Sequence, residues 1–100
     1  MPPIEVSWPG LFDRLRAWPR SSWRPDRISA VLSTAQQLVD LTAAASSQPA
    51  RQLPRPGHPA LADLLAVAVA DARDAAVDPA RIRVLLGELA AQLGFRLAAA

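Results

Sequence analysis

Ten prolines punctuate the 100 residues and leave only certain stretches free to be helical. Proline fits the first turn of a helix, where its missing N–H would have had no partner, and it ends any helix that runs into it. Pro9, Pro19 and Pro25 divide the first quarter of the chain, Pro49, Pro54, Pro56 and Pro59 crowd its middle, and Pro79 stands alone later. The segments between them predict an all-α fold of four helices, and no stretch reads as a convincing strand.

The first predicted helix spans Pro9 to Trp18. Trp8, Leu11, Phe12, Leu15 and Trp18 recur three and four apart, which makes one apolar stripe that Pro19 terminates. The second spans Pro25 to Ala45, with Asp26 placed well for the positive end of the helix dipole. Its apolar face is Ile28, Val31, Leu32, Ala35, Leu38, Val39 and Thr42. Its opposite face, with Ser29, Ser33, Thr34, Gln36, Gln37 and Asp40, is polar and nearly uncharged. The third spans Pro59 to Ala76, with His58 at the cap position. Leu61, Leu64, Leu65, Ala68, Ala72 and Ala75 form its stripe, which Val67 and Val69 widen. The fourth starts at Asp78, a strong N-cap, with Pro79 in the first position. Ile82, Leu85, Leu86, Leu89 and Leu93 follow at helical spacing. Gly94 fits the left-handed residue that closes a helix, and Phe95 the apolar residue that folds back after it.

Residues 1–100 are thus expected to form a single helical domain, with a Trp/Arg-rich arm at 1–24. The short Val77–Asp78 connection predicts a C-terminal antiparallel hairpin of the third and fourth helices. The segment from Ser46 to Pro59 is a proline-rich crossover. It is extended, semi-rigid and long enough to run the length of a helix, so the helices it joins need not be antiparallel neighbours. Gly87 and Ala91, four apart, offer a place where another backbone approaches closely.

The chemistry on offer is sparse. The chain has no cysteine, lysine or tyrosine and one histidine, so thiolate metal sites and most activated nucleophiles are excluded. His58 has no second ligand at metal spacing. Asp71 and Asp74 share a helix face, but Arg73 between them predicts plain surface pairing. No glycine loop suited to phosphate is present. No enzymatic activity and no cofactor are expected. No secretory signal and no apolar run of the roughly 18–20 residues a spanning helix needs are visible, so the chain reads as soluble and cytoplasmic.

Charge points to the arm. Residues 1–27 hold five arginines against three acids, and residues 28–100 hold six against six. The net charge of +2 therefore sits with the tryptophans. The absence of lysine reads first as genome composition, and a nucleic-acid binder shows a denser basic face.

The stretch Gly87 to Phe95, GELAAQLGF, resembles the second helix and turn of helix-turn-helix regulators. That resemblance implies a recognition helix to follow, and only RLAAA remains after Phe95. A DNA-binding regulator with a degenerate helix-turn-helix is therefore an alternative reading. A second alternative is a peripheral membrane binder, because Arg14 and Arg16 flank the apolar face of the first helix. That helix has about ten residues and barely forms alone in water, so its aromatic face must dock on something. Three surfaces are open to it: the third and fourth helices of the same chain, a second copy, or another protein. Interfaces concentrate Trp, Phe and Arg. The expected function is a non-enzymatic, self-associating interaction module: an adaptor, accessory subunit or antitoxin-like binder. Its candidate contact residues are Trp8, Phe12, Arg14, Arg16, Trp18 and Trp23. Nucleic acid and membrane are not the expected partners.

Overall fold

In the computed structural model, which describes residues 4–98, the elements run β1 (Ile4–Val6), α1 (Trp8–Arg16), α2 (Pro25–Ala45), α3 (Leu61–Asp74), α4 (Pro79–Gln92) and β2 (Phe95–Leu97). The fold is mostly helical, as expected. The two short strands are a correction: they pair in parallel, with Ile4 beside Phe95, Glu5 beside Arg96 and Val6 beside Leu97. The Ala98 N–H donates to the Val6 carbonyl at 2.8 Å and closes the pair.

Each helix starts where its local chemistry allows. Ser7 caps α1, its Oγ accepting from the Gly10 N–H at 3.1 Å. A Cβ at Gly10 would sit 2.8 Å from that oxygen, so a larger residue there would make the Ser7 hydroxyl shift. Pro25 opens α2 behind Arg24, which makes no side-chain cap bond. Asp78 caps α4, accepting from the Ala80 N–H at 3.0 Å. α3 is entered from a tight turn over His58–Ala60, and its N-cap is Ala60 rather than His58. The side chain of His58 lies outside what the structure describes.

Three helices stop at a residue in the left-handed region. After α4 it is Gly94 (φ 86°), as the sequence predicts. After α2 and α3 it is Ser47 (φ 54°) and Ala76 (φ 59°). In both of these the next N–H reaches back to the helix: Gln48 to the Ala43 carbonyl at 2.9 Å and Val77 to the Ala72 carbonyl at 3.0 Å. The φ strain at Ser47 and Ala76 is therefore held by hydrogen bonds.

α2 and α3 form the main seam of the core, from Val31, Thr34, Ala35 and Leu38 on one side and Leu61, Leu65, Ala68 and Ala72 on the other. Thr34, expected on the polar face, is buried. It belongs with Val31, Ala35 and Leu38 to one i, i+3, i+4, i+7 stripe. α4 packs on α2 and β2 more than on α3, burying Ile82, Leu85, Leu86, Leu89 and Ala90.

The crossover runs back along α2. The amide of Gln36 donates to the Arg51 carbonyl and accepts from the Leu53 N–H, both at 2.8 Å. Pro54 and Arg55 then lie beside Leu32 and Ser33, one turn nearer the start of α2. This return carries the chain back before α3 begins, and Asp71 of α3 comes to lie beside Val39, Thr42 and Ala43 of α2.

Candidate interaction surface

The arm docks on its own chain. Leu11, Phe12 and Leu15 of α1 are buried against α3. Two polar contacts fix the direction. At the C-terminal end of α1, Arg16 Nε lies 2.8 Å from Asp63 Oδ1 near the start of α3. At its N-terminal end, the Arg73 guanidinium lies 5.5 Å over the Trp8 ring, near the end of α3. α1 is therefore antiparallel to α3. The hydrogen bond to Asp63 raises the Arg16 pKa further above its ordinary value, and Asp13, 3.3 Å away, adds to the effect.

Beyond α1 the arm continues into the core. Trp23 is buried and meets Trp18 edge to face at 5.0 Å, while Trp18 stacks on Phe95 of β2 at 5.9 Å. Arg27 lies 5.0 Å over Trp18 and donates to the Ser22 carbonyl at 2.9 Å. Trp18 is thus the junction of the arm, the start of α2 and the C-terminal strand.

An open groove of about 790 Å³ lies where the N-terminal half of α1 meets the C-terminal half of α3. Trp8, Pro9 and Phe12 form one wall, Ala66, Val69 and Ala70 the floor, and Val77 and Pro79 the far side. Arg73 and Arg83 are its two charged lining residues; no carboxylate lines it among the described residues. The small side chains at Ala66 and Ala70 are what leave the floor low.

The six expected contact residues divide accordingly. Trp8 and Phe12 border the groove, Trp8 half-buried and Phe12 nearly covered. Arg14 is exposed on the outer side of α1, and Arg16 is engaged by Asp63. Trp18 and Trp23 lie together at the other end of the arm, away from the groove.

Sequence reasoning misses the α3 side of this surface. Val67, read as part of the core stripe, is 57% exposed. Arg73, read as paired with Asp71 and Asp74, instead covers Trp8 and makes no ion pair among the described residues. Helical spacing alone marks Val67: it falls in line with Asp63, Ala70 and Asp74 rather than with Leu65 and Ala72. The Gly87 face of α4 is open, with nothing within 4 Å of where its Cβ would be.

Among the described residues, no group of three or more His, Cys, Asp or Glu side chains is disposed to hold a metal, and no helix is long and apolar enough to cross a membrane. Phe95–Leu97, directly after Gly94, where the helix-turn-helix resemblance requires a recognition helix, form β2. Comparison with protein-family models, with curated proteins and with solved structures finds no match.

Proposed function

We propose that this chain is a non-enzymatic, self-associating interaction module of the cytoplasm, in the manner of an adaptor, accessory subunit or antitoxin-like binder. The observation that carries the reading is the groove beside Trp8, an apolar trough with arginines at its edge on an otherwise well-packed small chain. Trp and Arg bordering an apolar depression are the residue types that dominate binding energy at protein interfaces. The cis docking of Leu11 and Leu15 explains how so short a helix stays folded, and it leaves Trp8 at the surface to bind. We read α3 and α4 as the arms of an antiparallel hairpin, supported by the short link through Val77 and Asp78.

The test is light scattering of the purified chain together with capture from an extract of its source cells, each repeated with Trp8→Ala. The reading expects a species larger than one chain, or a captured protein, that is weakened by the substitution while the circular-dichroism melt is kept. A monomer that captures nothing overturns it, as does binding indifferent to Trp8.

A further inference from the structure

The groove beside Trp8 carries one sign of charge. Arg73 and Arg83 line it, no carboxylate lines it, and neither arginine makes an ion pair among the described residues. Asp78 stands between two lining residues, but its side chain is spent on the Ala80 N–H at the start of α4. Arg73 is exposed and held over the Trp8 ring, 5.5 Å from its centre. Arg83 is half-buried and gives one N–H to the Ala98 carbonyl at 3.3 Å. A guanidinium has five N–H donors, so each retains enough for a carboxylate. The apolar part has a helical spacing. Ala66 and Ala70, the low points of the floor, are one turn apart on α3, and Arg73 follows one turn later. The walls are helices, which spend their backbone groups internally. At the turn between α3 and α4, the Ala76 and Val77 N–H groups donate back to the Arg73 and Ala72 carbonyls, both at 3.0 Å. An extended segment would find no ladder to join here, whereas a helix satisfies its own backbone.

Resting on the interaction reading above, in its form of a captured protein, we propose that the occupant of the groove is an acidic amphipathic helix of a different protein. Two large apolar residues three or four apart on that helix enter over Ala66 and Ala70, and an Asp or Glu one turn beyond meets Arg73. Arg83, one turn past Pro79 on the far side, draws a second acid. At about 790 Å³ the groove is as large as clefts that enclose whole small ligands, which is room for two such side chains. A second copy of this chain does not supply that face. Among the described residues its exposed large hydrophobics are Val67 and Val84, and neither has another one turn away. Charge complementarity steers the encounter and sets its register, so the two arginines select acidic partners over basic ones.

The test is selection on the full chain from a phage-displayed library of random peptides, each roughly sixteen residues or about four helical turns long. Enriched peptides are expected to pair large apolar residues three or four apart with an Asp or Glu one turn away, and to exclude Lys and Arg there. The strongest is then synthesised and its affinity measured by calorimetry. Arg73→Glu is expected to weaken it at least about tenfold. Exchanging the peptide's acid for Lys should bring binding to that variant back to within about threefold of the native pair. That rescue separates charge pairing from a disturbed Trp8 contact. Ala70→Leu, at an exposed helical position that tolerates leucine, fills the floor and also weakens binding at least about tenfold while the circular-dichroism melt is kept. No enrichment, enriched peptides without an acid, or binding indifferent to Arg73 and Ala70 overturns the proposal. So does a native dimer in sedimentation equilibrium that the peptide displaces, which would make a second copy the occupant. In each of these cases Trp8-dependent self-association or capture leaves the broader interaction reading standing, and its absence removes both.

Discussion

Trp18 and Trp23 meet edge to face, ring centroids 5.0 Å apart and planes at 71°, and between them they tie the arm to the start of α2. Trp23 is 8% exposed, so removing its ring opens a cavity in the core. Trp23→Ala is expected to lower unfolding free energy by about 3–5 kcal/mol in urea titration. In chains keeping one tryptophan, with phenylalanine at the other two positions, Trp23 should be less accessible to acrylamide than Trp8 or Trp18.

The amide of Gln36 holds two backbone groups of the crossover at once. Gln36→Ala should leave the fold intact and free that segment. Hydrogen exchange at the Leu53 N–H is expected to accelerate by about fivefold, the equivalent of one hydrogen bond of roughly 1 kcal/mol. Protease cleavage between residues 48 and 57 should increase with it. Unchanged exchange at Leu53 would mean that the prolines alone hold the crossover in place.

Ala76 and Gly94 should respond in opposite directions to exchange of the same methyl group. Both sit at positive φ, 59° and 86°, where a Cβ costs about 1–2 kcal/mol. Ala76→Gly is expected to stabilise by up to about 1 kcal/mol after the entropy of glycine is subtracted. Gly94→Ala is expected to destabilise by up to about 1 kcal/mol, the strain of a Cβ at positive φ less the entropy of glycine, since nothing lies within 4 Å of the added carbon. Denaturant midpoints of the two variants decide the matter.

The pairing of Arg16 with Asp63 has a definite sign in pH. The Arg16 pKa is raised in the folded chain, first by its hydrogen bond to Asp63. A raised cation contributes stability that is complete below its unfolded pKa and is lost only as pH rises through the folded one, far into the alkaline range. Arg16→Gln should therefore lower the melting temperature by the same small amount at about pH 6 and at about pH 9. A difference that grows between those two values would show that another group controls the contact.

The proline-bounded helices were legible because their signals are local. Pro25, Asp78 with Pro79, and Gly94 each act within one turn of where they stand, and α2 begins and ends where its sequence predicts. The strands were not legible. Three residues are too few to display a period of two, and the partner of Ile4 lies at the far end of the chain. Thr34 and Val67 exchanged their expected environments for a related reason. A helix packed between two neighbours buries a face set by both, and spacing along one helix does not reveal where the second neighbour lies. Of the candidate surface, Trp8 and Phe12 were visible as aromatics in excess of what a short helix needs. The Trp8–Arg73 contact was not, because only the antiparallel docking of α1 on α3 brings those positions together.

The parallel pairing of Ile4 with Phe95 also sets an order of events. Bringing those two residues together closes a loop of about ninety residues, with an entropy cost that local helices do not repay. On the ribosome, Ile4–Val6 emerges first and waits for its partner until Phe95–Leu97 has left the exit tunnel. Trp18 waits too, since Phe95 forms one side of its site. During synthesis the arm is thus without its final lodging until β2 arrives, and the emergence of Phe95–Leu97 is the event that seals this part of the fold.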